Sequence, residues 1–174
     1  MGQAITGSVV TNWSMQEQIS SGVLANVNYP LPVTNTTNYS NAGTGAAQCD
    51  TIYAKQLTLA GAPTTLNLNA GLTDPAGNAI GFARVREFVV QVVTATAGDS
   101  VEVYAAASNG WTQLPPVANP LTAYPNGGIV ALRDPQSSGS GVGMVVTSGS
   151  CEVVLNPGAS IVVVNVLIAG GSAP

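Results

Sequence analysis

From residue 51 onward the chain consists of short apolar runs separated by turn residues. The runs are enriched in Val and Thr, alternate or stay continuous over a few positions, and show no helical period. This pattern predicts about eight β-strands. They lie at 52–59, 65–69, 82–94, 101–105, 129–133, 143–147, 152–155 and 161–168.

The run at 82–94 also fits one helical face through Phe82, Val85 and Val89. Its dense β-branched valines favour a strand, because valine loses side-chain freedom in a helix and fits a pleated surface. In the run at 52–59, alternate positions place four larger side chains on one face. They are Tyr53, Lys55, Leu57 and Leu59.

The connections carry turn residues. Asp74-Pro75-Ala76-Gly77 has the residue order of a type I turn, and Asn126-Gly127-Gly128 and Asn156-Pro157-Gly158 punctuate the chain in the same way. We therefore predict an all-β fold, an antiparallel β-sandwich with a jelly-roll-like arrangement, over residues 51–174.

Residues 1–50 have a different amino-acid composition, which is rich in Asn, Thr, Ser and Gly. They predict a polar, extended N-terminal arm, with a short helix possible at 13–24, that orders on a partner. Trp13, Tyr29 and Leu31 are its candidate partner-binding anchors. The alternative is that the arm pairs as an extra edge strand of its own sandwich.

Composition changes the picture of the surface. Charged residues make up only 7% of the chain, whereas a typical soluble domain has about 25%. A surface built from uncharged side chains has little repulsion to keep copies apart. We expect self-association, with the run at 161–168 as an edge strand that a neighbour covers.

The net charge and the length of the apolar runs argue against several classes of function. The net charge of −4 and only four Lys and Arg residues argue against nucleic-acid binding. Arg84 and Arg86 are expected as an exposed pair, or as partners of Glu87 and Glu102. The longest apolar run, at 161–169, is too short for a membrane helix, and residues 1–20 do not resemble a signal peptide.

Catalytic and metal chemistry lack their usual residues. The chain has no histidine, so imidazole-activated nucleophiles and imidazole metal ligands are absent. The eight carboxylates are scattered, which does not suit a glycosidase pair. We predict no enzyme activity, no cofactor and no metal. Cys49 and Cys151 are expected to be free buried thiols.

The segment GLTDPAGNAIGFARV at 71–85 resembles a group of small tailed-phage virion proteins. That group has an apolar strand, a short alternating strand, and then GLTD, GN and FARV leading into a long strand. The turn at 124–128 and the final apolar strand ending in IAGGSAP are similar as well.

The resemblance implies a capsid decoration protein of the virion surface. Such a protein has a jelly-roll-like sandwich, is often trimeric, and binds the major capsid protein lattice. The alternative is a carbohydrate- or receptor-binding module of a phage head fibre or tail, which would need an exposed aromatic platform. Its candidate residues are Trp111, Tyr104 and Tyr124.

Overall fold

The computed structural model describes the strands at 7–13 and 33–39 and residues 51–94, 96–134 and 143–172. Its regular structure there is entirely β, and no helix in these ranges is long and apolar enough to cross a membrane. The strands, in chain order, are β1 (Gly7–Trp13), β2 (Val33–Tyr39), β3 (Thr51–Ala60), β4 (Thr64–Asn67), β5 (Leu72–Thr73), β6 (Ala79–Ile80), β7 (Arg84–Val92), β8 (Val101–Ala105), β9 (Leu121–Ala123), β10 (Ile129–Arg133), β11 (Met144–Val145), β12 (Glu152–Asn156) and β13 (Ile161–Gly171).

Two antiparallel sheets form a sandwich. Sheet I has the order β10-β7-β13-β3, with β11 also paired to β7, and sheet II has the order β4-β12-β8-β9. The predicted all-β antiparallel sandwich is therefore confirmed. The two inner faces share one apolar core, as expected when each sheet has one face to hide from water.

The chain crosses between the sheets at most of its connections. It passes from sheet I to sheet II after β3, β7 and β11, and back to sheet I after β4 (through the segment that holds β5 and β6), β9 and β12. The corners after β3 and β12 lie side by side, because the Gly61 amide donates to the Ser160 carbonyl at 3.0 Å. The first and last sandwich strands, β3 and β13, consequently pair along ten positions.

The core is centred on an aromatic contact between the sheets. Trp111, in the loop between β8 and β9, is fully buried, and its ring lies 5.9 Å from that of Phe88 on β7. The buried indole N–H donates to the Val145 carbonyl at 2.9 Å. This bond removes the cost of burying an unpaired donor.

The predicted edge position of the run at 161–168 is wrong. This run belongs to β13, which lies in the middle of sheet I and pairs with β7 on one side and β3 on the other. Apart from Asn165, its side chains are apolar on both faces, with Val164 in the core and Leu167 on the opposite side. A continuous apolar run is typical of such an inner strand. The edge of sheet I next to it is β3.

The motif at 71–80 forms a small hairpin that the alternation of the chain did not predict. Strands β5 and β6 pair across the predicted turn, where the Gly77 amide donates to the Asp74 carbonyl at 3.0 Å. Gly77 has a φ of 89°, a conformation that glycine adopts without strain. The turn prediction is confirmed, and the two flanking strands were missed because they are only two residues long.

Strands β1 and β2 were also missed in the N-terminal region. They pair with each other over seven positions, from Gly7 opposite Tyr39 to Trp13 opposite Val33, as a separate two-stranded sheet. The helix considered at 13–24 lies outside the described residues except for Trp13, which ends β1.

Candidate docking face

The strand register defines the outer face of sheet I. Residues directly opposite each other in antiparallel strands point to the same side of the sheet. Val166 of β13 and its partner Val90 of β7 are buried in the core, so their strand neighbours point outward. Three rows cross this outer face: Gln56, Asn165, Gln91 and Ile129; Ala54, Leu167, Val89 and Ala131; Ile52, Ala169, Glu87 and Arg133.

The first row is a chain of side-chain amides, which we call the amide row. Gln56 Nε2 donates to Asn165 Oδ1 at 3.1 Å, and Asn165 Nδ2 donates to Gln91 Oε1 at 3.3 Å. The row joins three strands across the middle of the sheet. Each amide still has a donor or acceptor to offer, because an amide provides two N–H groups and two lone pairs.

The second row is apolar and shallow. Ala54 is small, and beside it lies an open depression of about 380 Å³ between the amide row and the larger side chains of Leu167 and Val89. It is lined by residues of β3, β7 and β13 alone, and Lys55 of β3 is among them. A depression with an apolar floor and an amide rim suits the shape of a protruding neutral group.

The third row contains the charge on this face. Arg133 Nη2 lies 2.6 Å from Glu87 Oε1, and the two side chains are 15% and 1% exposed. The ion pair therefore presents almost no charge to solvent. Arg84 and Arg86 are buried as well, so the expectation of an exposed pair is wrong.

A β-bulge adjoins the ion pair. The register between β13 and β7 shifts after Ala169, where Gly170 comes opposite Val85. A β-carbon on Gly170 would stand 2.0 Å from the Arg84 carbonyl oxygen, so only glycine fits. Bulges bend a strand locally, and this one lies at the start of β7, where Arg84 and Arg86 are buried.

The outer face of sheet II differs in its charge. Glu102 and Asn156 lie opposite each other there, and Asn156 Nδ2 donates to Glu102 Oε2 at 3.0 Å. Glu152 points to the same side. Both carboxylates are partly exposed. This face is acidic, whereas the outer face of sheet I is close to neutral.

The titratable groups of the described residues were compared for metal-binding clusters and for shifted pKa values. No cluster of three potential metal ligands occurs among them. Cys151 is a free buried thiol, as predicted, and its burial next to Glu152 raises its pKa, which makes the reactive thiolate harder to form. Cys49 lies outside the described residues. Burial also raises the pKa of Tyr53.

Asp74 has the opposite shift for a structural reason. Asn78 donates to its carboxylate from both Nδ2 and the backbone amide, each at 2.8 Å. These bonds stabilise the charged form and lower the pKa of Asp74. These bonds close the hairpin between β5 and β6. In this segment, Asp74 and Asn78 of the motif at 71–85 therefore stabilise a turn.

The predicted anchors remain predictions. Trp13 lies at the end of β1, and Tyr29 and Leu31 fall outside the described residues. The amide row was missed by the sequence analysis. Of the three aromatics considered for a carbohydrate platform, Trp111 and Tyr104 are buried, and Tyr124 is 67% exposed.

Comparisons of the chain with protein-family models, with curated proteins and with solved structures find no match.

Proposed function

We propose that this chain is a structural virion protein that decorates or cements a phage capsid by binding the lattice of the major capsid protein. It is made in the host cytoplasm, acts at the capsid surface and performs no catalysis. It associates with itself, most readily as a trimer. Neither nucleic acid nor a membrane is a partner in this proposal.

The observation that carries the proposal is the near-neutral outer face of sheet I. Docking removes water from a surface, and an exposed charge that finds no partner makes this costly. The exposed polar side chains that point outward here are neutral, and Glu87 and Arg133 pair with each other within the protein. Lys55, which also lines the depression, leaves the backbone on the core side of the sheet. The partner that suits this face is another neutral, hydrogen-bonding protein surface, as in a repetitive shell.

The resembling motif supports a structural role from a second direction. Asp74 and Asn78 bind each other, and Phe82 and Val85 are fully buried. Leu72 is buried as well. These contacts serve the fold, and they support a structural role for the motif.

We also infer a jelly-roll connectivity from the strand order. The sandwich strands pair as β3 with β13, β4 with β12, β7 with β10 and β8 with β9. A two-stranded ribbon folded over itself produces this nesting of first with last strands. Jelly rolls are eight-stranded double sheets that recur in viral capsid proteins.

A particle-binding assay tests the proposal. Purified protein is mixed with particles of the encoding phage that lack it, and binding is measured by co-sedimentation. Asn165→Asp places a charge in the amide row with almost no change in shape, and Gln91 can turn its amide to donate to the new carboxylate. We expect affinity to fall at least about tenfold, since burying a charge costs more than 1.4 kcal/mol.

Thr65→Asp is the matched control. Thr65 is exposed on β4, opposite Val154 on the outer face of sheet II. The same charge on that face should leave binding unchanged. Unaltered binding by Asn165→Asp would reject the outer face of sheet I as the docking surface, and absence of the wild-type protein from particles would reject the proposed function.

The N-terminal arm is the second proposed contact. Trp13, Tyr29 and Leu31 are proposed to seat in shallow pockets of the lattice. Deleting residues 1–45 should leave the melting temperature of the sandwich unchanged and weaken decoration. Loss of folding on deletion would instead assign the arm to the sandwich.

A further inference from the structure

Strand β3 is the long open edge of the sandwich. It has ten residues, whereas the other terminal strands of the two sheets, β10, β4 and β9, have five, four and three. Within the described ranges, β3 pairs with β13 on one side and with no strand on the other. Its outer side therefore presents backbone groups that can pair with another strand.

Lys55, the only lysine of the chain, lies in the middle of this edge. It is opposite Val166 of β13, which is buried, so the lysine leaves the backbone on the core side of the sheet. Leu57 and Tyr53 flank it on that side. The Lys55 side chain is nevertheless exposed, because an edge position lets a long side chain turn out to water. No carboxylate among the described residues pairs with it.

A charge at this position obstructs one particular partner, a second copy of β3. Two copies that join edge to edge with their cores on the same side must pair odd-numbered residues with odd-numbered residues. The two registers that pair most of β3 set Lys55 opposite Lys55 or opposite Leu57 of the second copy. In both, the Cβ atoms of the two lysines are within about 8 Å of each other, so the two positive charges are held near each other at a distance where salt screens them only in part.

We propose that Lys55 prevents antiparallel pairing of β3 with β3 of a second copy, and so keeps the sandwich from joining edge to edge. The rest of β3 offers no such obstacle, since its exposed side chains are Ala, Gln and Thr. A charge pointing toward the core side of an edge strand is a known means of blocking strand addition. The inference does not depend on the proposed virion role.

The lysine also has a cost that sharpens the test. A β-branched apolar side chain at position 55 would continue the apolar stripe beside Val166 and fit the strand better. Lys55→Val should therefore raise the melting temperature while making the protein associate. If Lys55 were only a solvated side chain without this role, Lys55→Val would not make the protein associate.

The experiment measures mass by light scattering after size exclusion, from micromolar to millimolar concentration, alongside thermal unfolding. For Lys55→Val we expect a higher melting temperature and at least a tenfold larger fraction of species above the wild-type mass. Hydrogen exchange should show new protection of the β3 amides in those species.

Three variants serve as controls. Thr58→Val adds an apolar side chain to the same strand on the outer face, and should keep the wild-type mass. Lys55→Arg and Lys55→Glu keep a charge of either sign, and should also keep it. The proposal is overturned if Lys55→Val retains the wild-type mass or fails to fold, or if Thr58→Val or Lys55→Glu associates to the same extent.

Discussion

Two rows on the outer face of sheet I differ in the charge and the exposure of their polar side chains. The amide row joins Gln56, Asn165 and Gln91 in the middle of the sheet, where Gln56 and Asn165 are exposed. The ion pair of Glu87 with Arg133 lies one row beyond the apolar row, and its carboxylate is 1% exposed. Hydrogen-bonding groups are thus exposed where they are neutral and buried where they are charged.

The difference teaches how a chain with few charges divides stability from recognition. A buried ion pair is expensive to break, because the remaining partner is left as a buried charge. A hydrogen bond between exposed side-chain amides costs little to break, because water replaces the lost partner. We therefore expect the ion pair to hold the fold and the amide row to serve contact with another surface.

The largest expected effect is at the ion pair. Arg133→Met removes the cation that lies 2.6 Å from Glu87. We expect the free energy of unfolding, measured by urea denaturation, to fall by about 3 kcal/mol, as is typical when one partner of a buried pair is lost.

The double variant makes this prediction specific. Glu87→Met combined with Arg133→Met removes both charges and leaves apolar side chains of similar volume. The loss of stability in the double variant should be well below the sum of the two single losses. Each single variant leaves the other charge behind, whereas the double variant leaves neither. Additive losses would mean that the two side chains act independently.

Local features were predictable from the sequence, and this part of the fold follows from short-range chemistry. The turn at Asp74 and Gly77 was predicted because proline and glycine restrict or permit backbone angles within four residues. The core-side positions of Tyr53, Leu57 and Leu59 followed from the alternation of β3. Such patterns do not depend on which strands become neighbours.

The order of the strands and the candidate site were not predictable in the same way. Gln56 and Asn165 are 109 residues apart, and Asn165 and Gln91 are 74 apart, so no local pattern joins them. The inner position of β13 likewise depends on the pairing of β3 and β7 around it. These features appear only once the long-range register is known.

A smaller effect is expected in the amide row. Asn165→Ala removes the central amide and both of its hydrogen bonds. Because the site is exposed, we expect the free energy of unfolding to fall by only about 1 kcal/mol. Thermal or urea unfolding measured beside Arg133→Met tests the contrast directly. A loss equal to that of Arg133→Met would remove the distinction between the two rows.

The smallest effect concerns Asp74, a partly exposed carboxylate that is held by hydrogen bonds from Asn78. Asn78 lowers the pKa of this carboxyl below its ordinary value of 3.8 in the folded protein. As the pH falls, the unfolded chain therefore takes up the proton more readily than the folded one. The carboxylate thus contributes stability above the ordinary pKa, and this contribution is lost as the pH falls through the lowered, folded pKa.

The variant Asn78→Ala separates this contribution from the rest of the acid response. It deletes the side-chain donor to Asp74 Oδ2 and leaves the backbone donor in place. The stability difference between wild type and variant should be constant from neutral pH to about pH 5 and shrink at lower pH. Urea unfolding at a series of pH values measures it. A stability difference that stays constant into strong acid would mean that Asn78 acts through the geometry of the turn and not through the charge of Asp74. A difference that shrinks would show that neutral donors stabilise this partly exposed charge.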